Sequence, residues 1–417
     1  MMGKRTIYTF EEHGEVLAHW HETGYDNETL IYFDRHLDLK KIEKAQMRRI
    51  REQGLNRKDL RLLNRDIPFR DDDLFAYGLD NFLYATTALN LVKRVIWVYP
   101  EPKPVSVAAL GHVLWDLLSL VPGHGEEVKN TFKVNPHSAS AQVAGMQVEI
   151  TTLRRIHKLG LDPDAKIDID LDYFYEEKGQ IVHGVDEVVE TLRREGMGNG
   201  EPTMTYSISS GFLPRSCRWL GEAVANKWGC TLRSLSRRRS SQGHAEQSMS
   251  VIAGKRSVDR ALFQRLCQDE LQPLEGPGWS LRALLALALS DIAEAERCYQ
   301  RAVELGDRAT WAAYSIGLFH MGRKQYEQAI QWFSRAEGQL VDTIQAHSLS
   351  LRALCECKSG QFERSLRTVE RCLKELPLRL EAYKVGAVAA GELGMLSEAE
   401  KFRELEKELC GVRNPEH

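Results

Sequence analysis

The sequence predicts an α/β fold built on a parallel sheet, followed by a separate all-α domain of helical repeats. Two observations predict the first part. Short β-branched and aromatic runs recur up to about residue 235, at Thr29–Phe33, Arg94–Tyr99, Gln147–Thr151, Lys166–Leu171 and Met204–Ile208. Several are continuously apolar, as strands covered on both faces are, and helical periodicity such as that of Asp186–Arg194 separates them. A third observation predicts the repeats. Ala295, Ala329, Ser365 and Ala399 recur at intervals of 34, 36 and 34 residues, and sixteen positions before them stand Trp279, Ala313, Leu349 and Tyr383. Small residues at fixed offsets let paired helices pack closely, and this spacing resembles that of tetratricopeptide repeats.

The 417 residues therefore divide into an α/β domain over 1–235, a linker and connecting helix over 236–270, and repeats over 271–417. The polar run Ser236–His244, with Arg237, Arg238 and Arg239, reads as a solvated loop in that linker. A hydrophobic content of 43%, a charged content of 28% and a net charge of -3 describe an ordinary globular chain. That balance gives no field for nucleic acid or an anionic membrane, so neither is an expected partner. No apolar run reaches the length of a bilayer, and the N-terminus lacks a signal-peptide core. Eight cysteines, all between Cys217 and Cys410, read as reduced thiols of a cytoplasmic protein. Cys355 and Cys357 have no second metal-ligand pair, which argues against a structural zinc site.

The chemistry-bearing residues fall in three segments. Asp34-Arg35-His36-Leu37-Asp38 follows the apolar run Leu30–Phe33. Two carboxylates and an imidazole thus sit at a strand's carboxyl end, where open α/β sheets bind ligands, and suit a hard or borderline divalent ion. Asp168, Asp170 and Asp172 alternate along a second run, which on a strand puts all three on one face. Like charges so placed raise one another's pKa unless cations neutralise them, and the adjacent sequence offers only Lys166. His13, within Glu11–Glu15, is the third candidate ligand. The distal ligand pair is either Asp168/Asp170 or Asp170/Asp172; the second lies nearer the strand's end and leaves Asp168 to support the ligands.

Together these segments resemble the ureohydrolase superfamily, which includes arginase, agmatinase and related deacetylases, and look most like its peptide-arginase branch of ribosomal-peptide maturation. The likeness rests on His13, then Asp34, His36 and Asp38, then Asp170 and Asp172. It extends to Glu12–Leu17, Gly78–Phe82, Ile96–Pro100 and Ser207–Phe212, and so spans most of residues 5 to 220. The resemblance implies a three-layer parallel sheet of the arginase/deacetylase type and two manganese ions, with zinc or iron as the alternatives. The glycine-rich context of the early histidine seen in free-arginine enzymes is missing, and no proline follows the distal aspartates. These departures favour an arginine within a precursor peptide over free arginine.

The expected reaction is hydrolysis of an arginine side chain to ornithine and urea by water that the two ions activate. Asp38 or Asp172 would relay the proton to the departing amine, and His137 is a candidate shuttle. Glu12, Asn81 and Ser209 are candidate substrate contacts by position. The repeats would dock the peptide or a second copy of the chain. Two alternatives stand beside this expectation: another metal-dependent amidohydrolase such as a zinc deacetylase, and a non-catalytic repeat scaffold.

Overall fold

The computed structural model describes residues 5–65, 74–175, 181–197, 200–236, 245–254, 256–338 and 343–413. Most of the polar run expected as a loop, 237–244, lies outside them. Among the described residues, one compact unit comprises those of 5–111 and 133–257, and the other those of 112–132 and 258–413.

The first unit is organised by a mixed sheet. Its strands are β1 (Arg5–Phe10), β2 (Glu28–Phe33), β3 (Val92–Val98), β4 (Lys133–Val134), β5 (Ala139–Val143), β6 (Met146–Thr151), β7 (Lys166–Asp170), β8 (Thr203–Thr205) and β9 (Cys230–Ser234). Their order across the sheet is β4-β5-β6-β3-β2-β7-β8-β1-β9. From β6 to β9 neighbours run parallel, whereas β4, β5 and β6 form an antiparallel edge. The expectation of a wholly parallel sheet is corrected there. The cause is a two-residue turn, Ala144-Gly145, with φ of 53° and 76°, which reverses the chain between β5 and β6. Alanine at its first position hides it from the usual Asn-Gly signature.

Strand periodicity sorts the central strands into two faces. Ile31 and Phe33 of β2 and Ile167 and Ile169 of β7 enter one apolar cluster. Val188, Val189 and Leu192 from helix Val185–Arg194 pack into it, with Leu220 and Val224 from helix Trp219–Trp228. The other face carries Tyr32 and Asp168, which are register partners, and Asp34 and Asp170 one step further along. Trp20 and Phe82 back that face, with the Phe82 ring 6.3 Å from that of Tyr32. An apolar core on one side thus holds a polar cluster rigidly on the other.

The second unit is a series of antiparallel helix pairs. The pairs are Glu275–Ala288 with Ile292–Glu304, Thr310–Gly322 with Tyr326–Glu337, Thr343–Lys358 with Phe362–Glu375, and Leu380–Glu392 with Leu396–Arg413. Ala295, Ala329, Ser365 and Ala399 each fall near the start of the second helix of a pair and are fully buried. Gly317 shows why small residues recur: a Cβ there would stand 2.7 Å from the Phe333 ring. Residues 112–132 join this unit, although the sequence division places them within 1–235. Gly123 N–H donates to the Glu375 carbonyl at 3.1 Å, Lys129 pairs with Glu408 at 2.7 Å, and Leu120 packs against the apolar cluster of Ala346, Leu349, Cys372, Leu376 and Ala382.

Burial inside the repeats sets an acid limit on stability. His347, 3.1 Å from the Tyr314 hydroxyl, is pushed down from 6.5 to about 4 by burial, with Arg379 adding to the shift. Between those values the unfolded chain takes up a proton that the folded unit refuses. The contribution of a neutral His347 to stability is therefore fully present above about pH 6.5 and falls away as pH drops toward about 4. His347→Gln should make the fall of Tm across that window shallower; a slope equal to that of the parent protein would refute this account.

Candidate metal centre

Asp34-Arg35-His36-Leu37-Asp38 emerges from the carboxyl end of β2 and is fixed from outside the cluster. Trp97 Nε1 donates to the Asp34 carbonyl at 2.8 Å, and Leu83 N–H donates to the Asp38 carbonyl at 3.2 Å. The Asp34 side chain then points in two directions. Its Oδ2 lies 3.0 Å from His13 Nδ1, while its Oδ1 accepts from the His36 N–H at 2.7 Å and lies 3.7 Å from His36 Nδ1. Around His13 Nδ1 also stand Asp38 Oδ2 at 3.3 Å and Asp170 Oδ2 at 3.2 Å. Around His36 Nδ1 stands Asp172 Oδ2 at 3.1 Å. Two groups with metal-ligand spacing result, His13/Asp34/Asp38 and Asp34/His36/Asp172, and Asp34 belongs to both.

Asp168 takes a different place. Its Oδ2 binds His13 Nε2 at 2.6 Å and its Oδ1 accepts from the Thr203 hydroxyl, which in turn accepts from Trp20 Nε1 at 3.3 Å. It orients the histidine from behind, as carboxylates do for metal-binding imidazoles. Asp172 departs from the expected strand: β7 ends at Asp170, and Asp172 lies on the tight turn Leu171–Phe174. Asp170 Oδ1 caps that turn by accepting from the Asp172 N–H at 3.1 Å. The turn swings Asp172 toward His36 instead of leaving it in line with Asp168 and Asp170.

The electrostatics follow from five aspartates packed out of water. Burial raises Asp38 to about 6, with the Asp34 charge adding to it. Burial raises Asp170 to about 8, with Asp172 adding. Burial works against charge on Asp34 as well, but its bonds to His13 and His36 outweigh that and hold it well below the carboxylate range. His13 is desolvated too, yet Asp168 above all keeps its pKa well above the usual value. Among the described residues no lysine or arginine forms an ion pair with these five aspartates; Arg35 instead donates to the Tyr175 carbonyl. A buried donor set of carboxylate oxygens and two imidazoles, in surplus negative charge, fits divalent cations.

Tyr32 is a member that sequence reading missed. Its hydroxyl donates to Asp34 Oδ2 at 2.5 Å, and lies 3.0 Å from Asp38 Oδ2 and 3.4 Å from His13 Nδ1. The available signal was its place two residues before Asp34, on the same side of the strand. His36 is the most accessible member, half-buried with its side chain 43% exposed and its ring 4.8 Å from Phe212. The site therefore opens on the His36 side.

The remaining sequence candidates fare unevenly. Glu12 is buried, and its Oε1 accepts from the Ser210 N–H at 2.7 Å. Burial raises its pKa well above the usual value. Asn81 accepts from the Gly78 N–H at 2.8 Å and precedes helix Phe82–Thr86, so its contacts shape the turn beneath the cluster. Ser209 gives way to its neighbours: Ser207 donates to Asp170 Oδ2 at 2.5 Å, and Ser210 holds Glu12. His137 does not join the cluster. It precedes β5, three strand positions from β2, about 14 Å away at ordinary strand spacing. The antiparallel edge carries it there.

No family model matches the chain, and no curated protein matches it. Solved structures similar to part of it include that of MamA, 14% identical over 42% of this chain and 95% of the other, with a TM-score of 0.32. Another is PilW, described as a widely conserved type IV pilus biogenesis factor, 18% identical over 42% and 79%, with a TM-score of 0.31. A MamA RS-1 ArsTM double mutant is 15% identical over 39% and 100%, with a TM-score of 0.30. These likenesses are partial, covering about two fifths of the chain.

Elemental analysis after loading should find two manganese ions per chain. Asp34→Asn, which alters the carboxylate common to both groups, should lose both ions, while His36→Ala should keep one. Asp168→Asn should weaken binding by about 10- to 100-fold, the usual cost of losing such a supporting carboxylate. Equal metal content in all four proteins would rule out the assignment.

Proposed function

We propose that this protein is a two-metal hydrolase of the ureohydrolase type that converts arginine side chains of a ribosomally made peptide to ornithine, releasing urea. The observation that carries the reading is the placement of Asp34 between two histidine-containing groups. A bridging carboxylate between two such groups favours two ions, whereas a zinc deacetylase needs one. His13, Asp34, Asp38 and Asp170 would hold one ion, and Asp34, His36 and Asp172 the other. Carboxylate-rich donors favour manganese over zinc or iron. Bound there, the ions supply Lewis acidity that makes water a nucleophile near neutral pH and offsets charge developing on the substrate.

The chain's own residues supply the rest. His36 and Phe212 flank the open side, so an arginine side chain would enter past them. Water oxygen bonds to the guanidinium carbon, the bond from that carbon to the chain nitrogen breaks, and that nitrogen must gain a proton. Asp38 is the suited relay: its Oδ2 faces the Tyr32 hydroxyl at 3.0 Å and stands in the first ligand group, beside the reacting water. His137 has no part in this account. The three-layer arginase/deacetylase architecture belongs to the same proposal, supported by a central parallel run of strands with helices on both faces.

Peptide substrate is favoured by the missing sequence context of free-arginine enzymes. The helical repeats would dock that peptide or a second copy of the chain. A cytoplasmic location fits eight cysteines without a disulfide, and no helix among the described residues is long and apolar enough to cross a membrane. Incubation with manganese and an arginine-containing precursor peptide should remove about 42 Da from the peptide, the mass expected for hydrolytic loss as urea. Urea release from free arginine at comparable efficiency would overturn the peptide preference, and an unchanged peptide mass would overturn the reaction.

A further inference from the structure

Glu12 has a feature that its role in the fold leaves unexplained. One oxygen, Oε1, is held by the Ser210 N–H at 2.7 Å, so the carboxylate is fixed in direction. The other, Oε2, is buried and has no hydrogen-bond partner. Glu12 is only 7% exposed. Its neighbour Glu11 pairs with Arg218, but among the described residues no lysine or arginine pairs with Glu12. After burial and its bonds to Ser210, the neighbours that act on it are the carboxyl groups of Glu15 and Asp170, which offer it no positive charge. A carboxylate oxygen kept out of water, without a donor and among like charges, is costly unless something positive arrives.

Its surroundings tie this oxygen to the metal centre. Glu12 directly precedes the ligand His13, and Ser210, which holds it, lies three residues after Ser207, which binds Asp170. Ser210 Oγ also donates to the Ser207 carbonyl at 3.1 Å, closing the loop. Beside Asp170, its register partner Thr205 carries a second buried hydroxyl without a partner. Thr205, the last residue of β8, thus ends its strand in a buried polar atom without a partner.

We propose that Glu12 Oε2 receives the positive, N–H-rich end of the substrate, a guanidinium or amidinium, and so makes the site selective for cations over neutral amides. This rests on the hydrolase reading above and deepens it. A guanidinium offers several N–H donors in a plane and carries the charge that Glu12, Glu15 and Asp170 lack. An acylated lysine offers neither the charge nor the donor array. Glu12 acts here as a specificity determinant, bonded to the part of the substrate that stays planar and charged before reaction.

The test uses the manganese-loaded full chain and two peptides that differ at one side chain, arginine or its neutral isostere citrulline. Binding is read by calorimetry, and metal content and Tm are measured alongside. The parent protein should bind the arginine peptide more tightly, by on the order of 10- to 100-fold, the range for a charge-assisted hydrogen bond. Glu12→Gln keeps an acceptor for the Ser210 N–H, so it should keep its metal and Tm while the preference for arginine disappears. Should that variant lose metal, Glu12→Asp, which draws the carboxylate back by one methylene, should weaken arginine binding and leave citrulline binding alone. Equal binding of both peptides by the parent protein, or an undiminished preference in a metal-replete variant, would overturn the assignment. Urea release is scored separately. Selective binding without urea would sink the proposed reaction and leave Glu12 in place, whereas full urea release by Glu12→Gln would sink the role of Glu12 alone.

Discussion

Mutual repulsion among five buried aspartates is the constraint on which the α/β unit depends. Asp34, Asp38, Asp168, Asp170 and Asp172 are all withdrawn from water at one end of the sheet. Charges a few ångströms apart in such surroundings repel strongly, and the protein answers with only partial remedies. His13 is shared among four of them, main-chain N–H groups serve Asp34 and Asp170, and hydroxyls of Thr203, Ser207 and Tyr32 serve others. These donors direct the oxygens without cancelling their charge. Asp170, pushed up to about 8, shows the deficit, since it would sooner keep a proton than join its neighbours as an anion. Cations of higher charge remove the conflict more completely than protons do.

Such a cluster needs a scaffold that does not yield to it. Neighbouring β2 and β7 run parallel with Tyr32 opposite Asp168 and Phe33 opposite Ile169. Every second residue is therefore committed to an apolar cluster that helices seal from below. Moving an aspartate off the polar face by one residue would bring a buried isoleucine or phenylalanine out with it. The apolar face thus bears the cost of keeping the acidic face together, and the long-range hydrogen bond from Trp97 to Asp34 adds a third strand to the restraint.

The parts of this arrangement that sequence made visible are those with a period. Alternating aspartates, apolar strand runs and the 34-residue spacing of Ala295 and Ala329 are repeats of one kind or another, and each corresponds to a local element. Hidden were features made by a single turn or by contact between distant segments. Ala144-Gly145 reversed the chain without a familiar signature and carried His137 away from the site. The turn at Leu171–Phe174 redirected Asp172, which strand periodicity had put in line with its neighbours. Ser207 and Ser210, not Ser209, reach the cluster because the loop after β8 presents alternate groups to Asp170 and Glu12. Tyr32 looked like one more core aromatic, as its ring is, and only its hydroxyl belongs to the site.

That last distinction separates holding metal from choosing a substrate. Metal ligands must converge, so their residue types and spacing leave a trace in sequence. A group that selects a substrate need only be left unsatisfied in the right place, and an unmet hydrogen bond has no sequence pattern. Glu12 illustrates this: its position alone made it a candidate contact, and only the structure adds that one oxygen is held and the other not. Because Ser207 and Ser210 belong to one short loop, Asp170 and Glu12 are oriented by the same piece of backbone. In the proposed site, ligand geometry and charge selection would then be coupled mechanically. A change in that loop would disturb both, while a change confined to the far carboxylate oxygen would disturb selection alone.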